Sequence, residues 1–353
     1  MMDRPTQPFD QLRRPLGVLR LSLTARCNLA CPYCLPDGAE PPGLLSLEER
    51  RALVAAAVAL GAGSLRLTGG EPLLNPGLEA LVAAVQPLRA RGLREIALTS
   101  NGVLLTSERA RALRAAGLDR LTLSLDGVTG TAVARMAGLS GGDADTRRRR
   151  GEAQLEQVLA AIEHARSAGF AAERGQIKLN AVIQRGANDD QLLPLAGLAR
   201  QRGLELRLIE FMDVGNRNGW RPEAVLSAAE MVGRINRRWP LDPVGRDPHG
   251  TAIRWRFRDG GGHLGVVASI SAPFCGDCNR LRITADGIAY TCLFGSQGTD
   301  LRPWLRPSPD AEALERTLAR LWRQRHDRYS EERTALALGD QRPAPAEMAY
   351  LGG

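Results

Sequence analysis

Lysine is almost missing from this sequence: among 47 basic residues Lys178 is the single lysine, and the rest are arginine. The bias reflects base composition more readily than function. A net charge of +8 therefore does not by itself point to nucleic acid, and a small polyanionic substrate fits it equally well. Aromatic residues make up only 4%. With neither an aromatic platform nor a recognition helix in sight, a basic, metal-stapled nucleic-acid-binding module is disfavoured. No apolar run is long enough for a signal peptide at the start or for a bilayer span anywhere. The expected location is the cytoplasm, where thiols stay reduced and clustered cysteines more often hold metal than form disulfides. The phosphate loop Gly-x4-Gly-Lys-Ser/Thr is absent. Histidine is scarce too. His164, His249, His263 and His326 are not spaced to chelate together, and each reads as a surface or hydrogen-bonded core residue.

What is present is cysteine in two groups of three, with none left over. Cys27, Cys31 and Cys34 form Cys-x3-Cys-x2-Cys in CNLACPYC; Cys275, Cys278 and Cys292 form Cys-x2-Cys-x13-Cys. Thiolate zinc sites and iron–sulfur clusters normally take four protein ligands. Three thiolates can hold three irons of a 4Fe–4S cubane and leave the fourth open to an outside ligand. Zinc is disfavoured at the first group by the lack of a nearby histidine, and a zinc knuckle short of one ligand remains the alternative at the second. Arg280 and Arg282, two apart, would share one face of a strand. Cations just beyond a cluster suit an anionic ligand approaching a free iron.

The 353 residues, 44% hydrophobic, are ample for a large core. Short strand-like runs occur at 19–24, 64–68, 95–100, 120–126, 177–184 and 205–212, separated by helical patterns at 46–61, 76–91, 106–116, 152–168 and 189–202. This alternation predicts a partial, open β/α barrel of about six parallel units, with a doubly wound sheet as runner-up. Most runs end in polar motifs (TARC, TGGEP, TSNG, SLDG, NAVIQ, EFMD), as barrel enzymes place them at one mouth. The pattern breaks after about residue 213. Further strands are expected at 251–258 and 263–270 and a helix near 311–325. The expected division is a barrel domain over 1–245 and a C-terminal region over 246–353. The segment 138–151, GLSGGDADTRRRRG, reads as a solvated surface loop.

CNLACPYC after the first strand of such a barrel resembles the radical S-adenosylmethionine (SAM) superfamily. The resemblance implies that the methionine end of SAM chelates the open iron. It also implies that Tyr33, Gly70, Glu71, Ser124, Asp126 and Met212 border that cofactor, with the Glu71 carboxylate offered to the ammonium group. A glycine pair before Glu71 lets backbone approach a ligand closely. The ordered set LRLSLTARCNLACPYC, RLTGGEP, TSNG, SLDG, NAVIQRGANDDQ, IEFMDVGNRNGW, FCGDCNRLRITADG, RYSEERTA and a terminal Gly-Gly is similar to the GTP 3′,8-cyclase family of molybdenum cofactor biosynthesis.

That resemblance implies two 4Fe–4S clusters of three cysteines each, SAM, and GTP as substrate. It implies GTP contacts by Arg20, Arg66, Thr99, Lys178, Arg280 and Arg282, with Arg207 added because alternation points it inward. It also implies that Gly352 and Gly353 assist the radical chemistry. An external electron donor, a downstream cyclic pyranopterin monophosphate synthase and a homodimer are the implied partners. Two departures stand out: Ser64 occupies a position that is often basic in the family, and the 138–151 segment is unusually long. The competing enzyme reading is another radical SAM enzyme with an auxiliary cluster, acting on a peptide or haem. Such relatives usually carry more C-terminal cysteines than the three found here.

Overall fold

The computed structural model describes residues 7–36, 38–336 and 345–352. Leucine or isoleucine at every second strand position governs the architecture. The chain runs β1 (Val18–Ser22), α1 (Leu47–Ala59), β2 (Ser64–Thr68), α2 (Leu78–Ala84), β3 (Glu95–Ser100), α3 (Ser107–Ala115), β4 (Arg120–Ser124), α4 (Gly130–Met136), α5 (Ala144–Ser167), β5 (Ile177–Ile183), α6 (Leu192–Gln201) and β6 (Glu205–Glu210). It continues through α7 (Ala228–Arg238), β7 (Leu241–Gly245), β8 (Ile253–Phe257), β9 (His263–Val267), β10 (Arg280–Ile283), β11 (Ile288–Tyr290), β12 (Thr299–Asp300), α8 (Ala311–Gln324), α9 (Tyr329–Leu336) and α10 (Met348–Leu351).

All strands join one sheet, ordered β12-β11-β10-β1-β2-β3-β4-β5-β6-β9-β8-β7. Strands β1 to β6 follow in sequence order and pair in parallel. A doubly wound sheet would reverse direction at a switch point, and there is none between β1 and β6. The six expected units are present, and the C-terminal region adds two further parallel strands: β10 beside β1 and β9 beside β6. A boundary after residue 245 falls at the end of β7, inside its hairpin with β8. Arg66 on β2 lies close enough to Arg207 on β6 for that charge to help lower its pKa, after burial. Four strand spacings in a flat sheet would part them by about 19 Å. The sheet is therefore rolled.

Buried parallel strands usually read as continuous hydrophobic runs. Here they alternate. Leu19, Leu21, Leu65, Leu67, Leu121, Leu123, Leu206 and Leu208 are at most 1% exposed and join the outer hydrophobic core. Most of the intervening residues are polar, face inward and stay partly exposed, so the barrel encloses a chamber where an ordinary barrel packs aliphatic layers.

Two elements differ from expectation. The 76–91 segment is α2 followed by a 3-10 turn over Gln86–Arg91, because Pro87 has no N–H to continue the ladder. Helix α5 begins at Ala144, so most of the expected 138–151 loop is helical. Asp143 caps it by accepting from the Thr146 amide at 2.8 Å. Asp145 pairs with Arg148 (2.6 Å) and Arg149 (2.7 Å) along its exposed face. Gly151 marks a close helix crossing, not a loop end: a Cβ there would sit 1.9 Å from the Gly130 carbonyl oxygen. Among the described residues no helix is long and apolar enough to cross a membrane.

Candidate active site

The CNLACPYC loop leaves the C-terminal end of β1 and folds back at once. The Cys31 carbonyl accepts from the amides of Cys34 and Leu35, both at 2.9 Å. Cys27, Cys31 and Cys34 are free, half-buried, and border one cavity. The Leu29 amide points at Cys27 Sγ (3.4 Å), as a backbone donor to a thiolate would. Burial raises the pKa of Cys27 and Cys31 and pushes Cys34 up to about 12. Coordination to a metal reverses that preference, because the ligand is the thiolate.

The second triad sits at the opposite end of the strands. Cys278 precedes β10, which is parallel to β1, and Cys292 follows β11, which returns antiparallel to β10. Two buried arginines brace it: Arg14 Nη1 donates to the Cys275 carbonyl and Arg325 Nη1 to the Cys278 carbonyl, both at 2.6 Å. Asp10 holds both guanidiniums, Arg14 at 2.5 Å and Arg325 at 3.6 Å. Helix α9 adds Glu331, which accepts from the Gly276 amide at 2.8 Å. Burial raises the Cys278 thiol, but Arg280 and Arg325 outweigh it and bring its pKa down to about 6. Cys292, pushed by burial and then by Asp327, rises to about 12.

Among the described residues no three His, Cys, Asp or Glu side chains converge on a single-ion site. Each triad offers three free cysteine thiols, a donor set that an iron–sulfur cluster can take with one thiolate to each of three irons.

The cavity beside the first triad is also lined by Tyr33, Gly70, Glu71, Thr99, Ser124 and Asp126. Gly70 runs against the cysteine loop so closely that a Cβ would lie 2.1 Å from the Arg26 carbonyl oxygen. Glu71 is 1% exposed and largely committed inside the protein. Its Oε1 accepts from the Leu73 amide (2.9 Å) and Ser100 Oγ (2.8 Å), and its Oε2 from the Asn101 amide (2.8 Å). Only Oε2 keeps a lone pair for a ligand. Glu71 thus acts first as a strap between the TGGEP and TSNG turns. Asp126 accepts from Tyr33 Oη and from the Val182 amide, both at 2.7 Å. Burial pushes its pKa up to about 6. Met212 lies just beyond β6 and does not border this cavity.

Between the triads the inner wall is basic. Arg20, Arg66, Arg120, Lys178, Arg207, Arg280 and Arg282 occupy inward positions of β1, β2, β4, β5, β6 and β10. The facing carboxylates there are Glu95 and Glu205. Glu95 holds Arg66 (2.9 Å) and Arg120 (2.8 Å), while Glu205 holds Lys178 (2.8 Å) and Arg207 (3.0 Å). Seven cations less two carboxylates leaves five positive charges along these strands. Burial and then mutual repulsion lower the pKa of Arg20, and burial and Arg280 bring Arg282 down to about 10. A wall of crowded like charges is relieved by a bound polyanion.

The C-terminal tail enters this chamber. Glu347 accepts from the Asn216 amide and pairs with Arg217, both at 3.2 Å. Tyr350 Oη contacts both oxygens of Asp286 at 2.9 Å, and Leu351 is fully buried. The Gly352 carbonyl accepts from Arg20 Nε (3.0 Å) and Nη2 (2.8 Å), with Arg282 Nη1 at 3.4 Å. Gly353 lies outside the described residues.

Sequence reasoning passed over Arg120, Glu95, Glu205, Arg14 and Arg325. Inward alternation on β4 was the signal that could have found Arg120, as it did Arg207. Nothing local marks Arg14 or Arg325, whose roles depend on packing between distant segments. The Arg147–Arg150 run lies on α5, tied to Asp145 and the preceding turn, and contributes nothing to this wall.

A family model described as Radical SAM superfamily matches residues 21–199, and one described as Molybdenum Cofactor Synthesis C matches residues 204–331. The chain is 58% identical over 352 residues to a GTP 3′,8-cyclase of Synechococcus sp. (strain CC9902), covering 100% of both. It is 60% identical over 350 residues to that of strain CC9605 (98% of both). Against that of Xanthomonas campestris pv. campestris (strain B100) it is 44% identical over 352 residues, covering 98% of this chain and 97% of that one. Among solved structures, Streptococcus suis SuiB bound to S-adenosylmethionine aligns with TM-score 0.58 at 14% identity, over 88% of this chain and 66% of that one. SuiB bound to the precursor peptide SuiA aligns with TM-score 0.60 at 14% identity, over 91% and 67%. At such identity the likeness is one of fold. Matched from end to end by curated relatives, and by both family models in turn, the chain belongs to the GTP 3′,8-cyclase family of the radical SAM superfamily.

Proposed function

We propose that this chain converts GTP into 3′,8-cyclo-7,8-dihydro-GTP, the first step of molybdenum cofactor biosynthesis. One observation supports it above the rest: two cysteine triads at opposite ends of a chamber whose wall carries seven cations and two carboxylates. Cys27, Cys31 and Cys34 would hold the first 4Fe–4S cluster, and Cys275, Cys278 and Cys292 the second. When bound, the first cluster and SAM supply a reductive carbon–sulfur cleavage that yields a 5′-deoxyadenosyl radical.

The chain's own residues set the geometry. Tyr33, Gly70, the free lone pair of Glu71, Ser124 and Asp126 confine SAM beside the first triad. Met212, just beyond β6 and outside that cavity, is left out of this SAM set. Arg20, Arg66, Arg120, Lys178, Arg207, Arg280 and Arg282 grip the triphosphate and orient the nucleotide along the chamber, with the base toward the second triad. Thr99 lies on the boundary between the two ligands. The ribose C3′ hydrogen atom passes to the 5′-deoxyadenosyl radical, giving 5′-deoxyadenosine, and a C3′–C8 bond forms; one electron from the external donor and one proton complete the dihydro ring. Gly352, whose carbonyl meets Arg20 and Arg282, excludes water where the two ligands meet. The 1–245 region carries the radical source, and 246–353 supplies the second cluster site and the tail. An external electron donor, a downstream cyclic pyranopterin monophosphate synthase, a homodimeric state and a cytoplasmic location follow from the same reading.

The test is anaerobic incubation of the reconstituted protein with GTP, SAM and a chemical reductant. Matched formation of 5′-deoxyadenosine and a cyclised nucleotide is expected. Formation of 5′-deoxyadenosine with GTP left intact would refute the assignment.

A further inference from the structure

Asn180 is an inward residue of β5 that no ligand set described above includes. Its Oδ1 is buried and has no hydrogen-bond partner among the described residues. A buried acceptor left unpaired is costly, and native proteins keep few of them without a reason. The strand register places Asn180 opposite Ser124 on one side and Arg207 on the other. Ser124 borders the cavity of the first triad; Asn180 does not. Two residues back on the same inward face, Lys178 pairs with Glu205, and Arg207 Nε is also held by Glu205. Neither neighbouring cation is directed at Oδ1.

We infer that Asn180 Oδ1 accepts a hydrogen bond from a ribose hydroxyl of the nucleotide substrate. This rests on the GTP reading and adds a residue to it. Phosphate oxygens only accept, so the triphosphate held by Lys178 and Arg207 cannot satisfy this oxygen. Guanine does have N–H donors, but the base is directed to the second triad at the far end of the strands. The sugar joins base to triphosphate, and its C3′ hydrogen must come within reach of the SAM cavity. Asn180 stands at that level, between Ser124 and the phosphate-facing cations. SAM has ribose hydroxyls as well, but its cavity does not touch Asn180.

Equilibrium binding of GTP, 2′-deoxy-GTP and 3′-deoxy-GTP to the full-length, cluster-reconstituted protein tests the inference, with SAM affinity measured alongside. The wild type should bind GTP about tenfold more tightly than one of the two deoxy analogues. Asn180→Ala should compress that ratio to within about twofold, leave the iron content unchanged, and leave SAM affinity unmoved. Asn180→Asp keeps the acceptor and the shape. It should keep the ratio even if its charge weakens all three nucleotides together. Equal weakening of all three nucleotides by Asn180→Ala, or a shift in SAM affinity alone, overturns the inference while GTP cyclisation by the wild type still stands. A wild type that neither binds nor cyclises GTP overturns the functional reading and this inference with it.

Discussion

Tyr350→Phe isolates one link in the anchoring of the C-terminal tail. The hydroxyl lies 2.9 Å from both oxygens of Asp286, but it has one proton and so makes one charge-assisted bond. Such bonds contribute about 1.5–3 kcal/mol. Tyr350 is only half-buried, which argues for the lower end. Asp286 still accepts from Thr284 Oγ1 at 2.6 Å, so the substitution does not leave a bare carboxylate. The remaining anchors persist: Leu351, fully buried, is worth about 2 kcal/mol, and Glu347 keeps Asn216 and Arg217. A loss of about 1.5–2 kcal/mol therefore shifts local docking by about 10- to 30-fold without detaching the tail. The amides of Tyr350 and Leu351 both donate to the Glu347 carbonyl at 3.1 Å and so report the docked state. Their hydrogen exchange should accelerate by about that factor while exchange in β1 to β6 stays unchanged. GTP cyclisation should fall relative to 5′-deoxyadenosine release. Tail protection within about threefold of wild type would refute the reasoning, as would an equal loss of protection across the barrel.

Ser100→Ala removes one of the two donors to Glu71 Oε1 and should cost about 1–3 kcal/mol, read as a lower thermal midpoint. Lys178→Arg can keep a pair with Glu205 but presents a wider, planar cation. GTP turnover should drop roughly tenfold with the thermal midpoint nearly unchanged, and wild-type turnover would contradict the phosphate role. Replacing Arg147, Arg148, Arg149 and Arg150 together with alanine should leave GTP affinity within about twofold, because their contacts are with Asp145, Glu152 and the turn before α5. Cys275→Ser should lower iron in anaerobically purified protein from about eight to about four per chain. Unchanged iron would argue against a second cluster at that triad.

The sequence alone determined everything that depends on short-range spacing. The cysteine triads, the period-two leucines of β1 to β6 and the motifs that follow the strands are all local patterns, and local patterns survive without coordinates. The same logic failed at 138–151, where glycines and an arginine run look like a loop. The Asp143 cap and the contact of Gly151 with Gly130 make it a helix, and that contact exists only once α4 and α5 are packed. Only the tertiary structure showed that Glu71 is a strap before it is a ligand, because its donors come from a turn about thirty residues away. It alone placed β9 and β10 as parallel strands on either side of the six repeats, which puts the second triad at the other end of the barrel. It alone assigned Glu95 and Glu205 as counter-ions to four of the seven cations, and brought Arg14 and Arg325 onto Asp10 from the two ends of the chain. These are long-range electrostatic and packing relations, and the roll of the sheet, which no window of sequence contains, decides which charges meet.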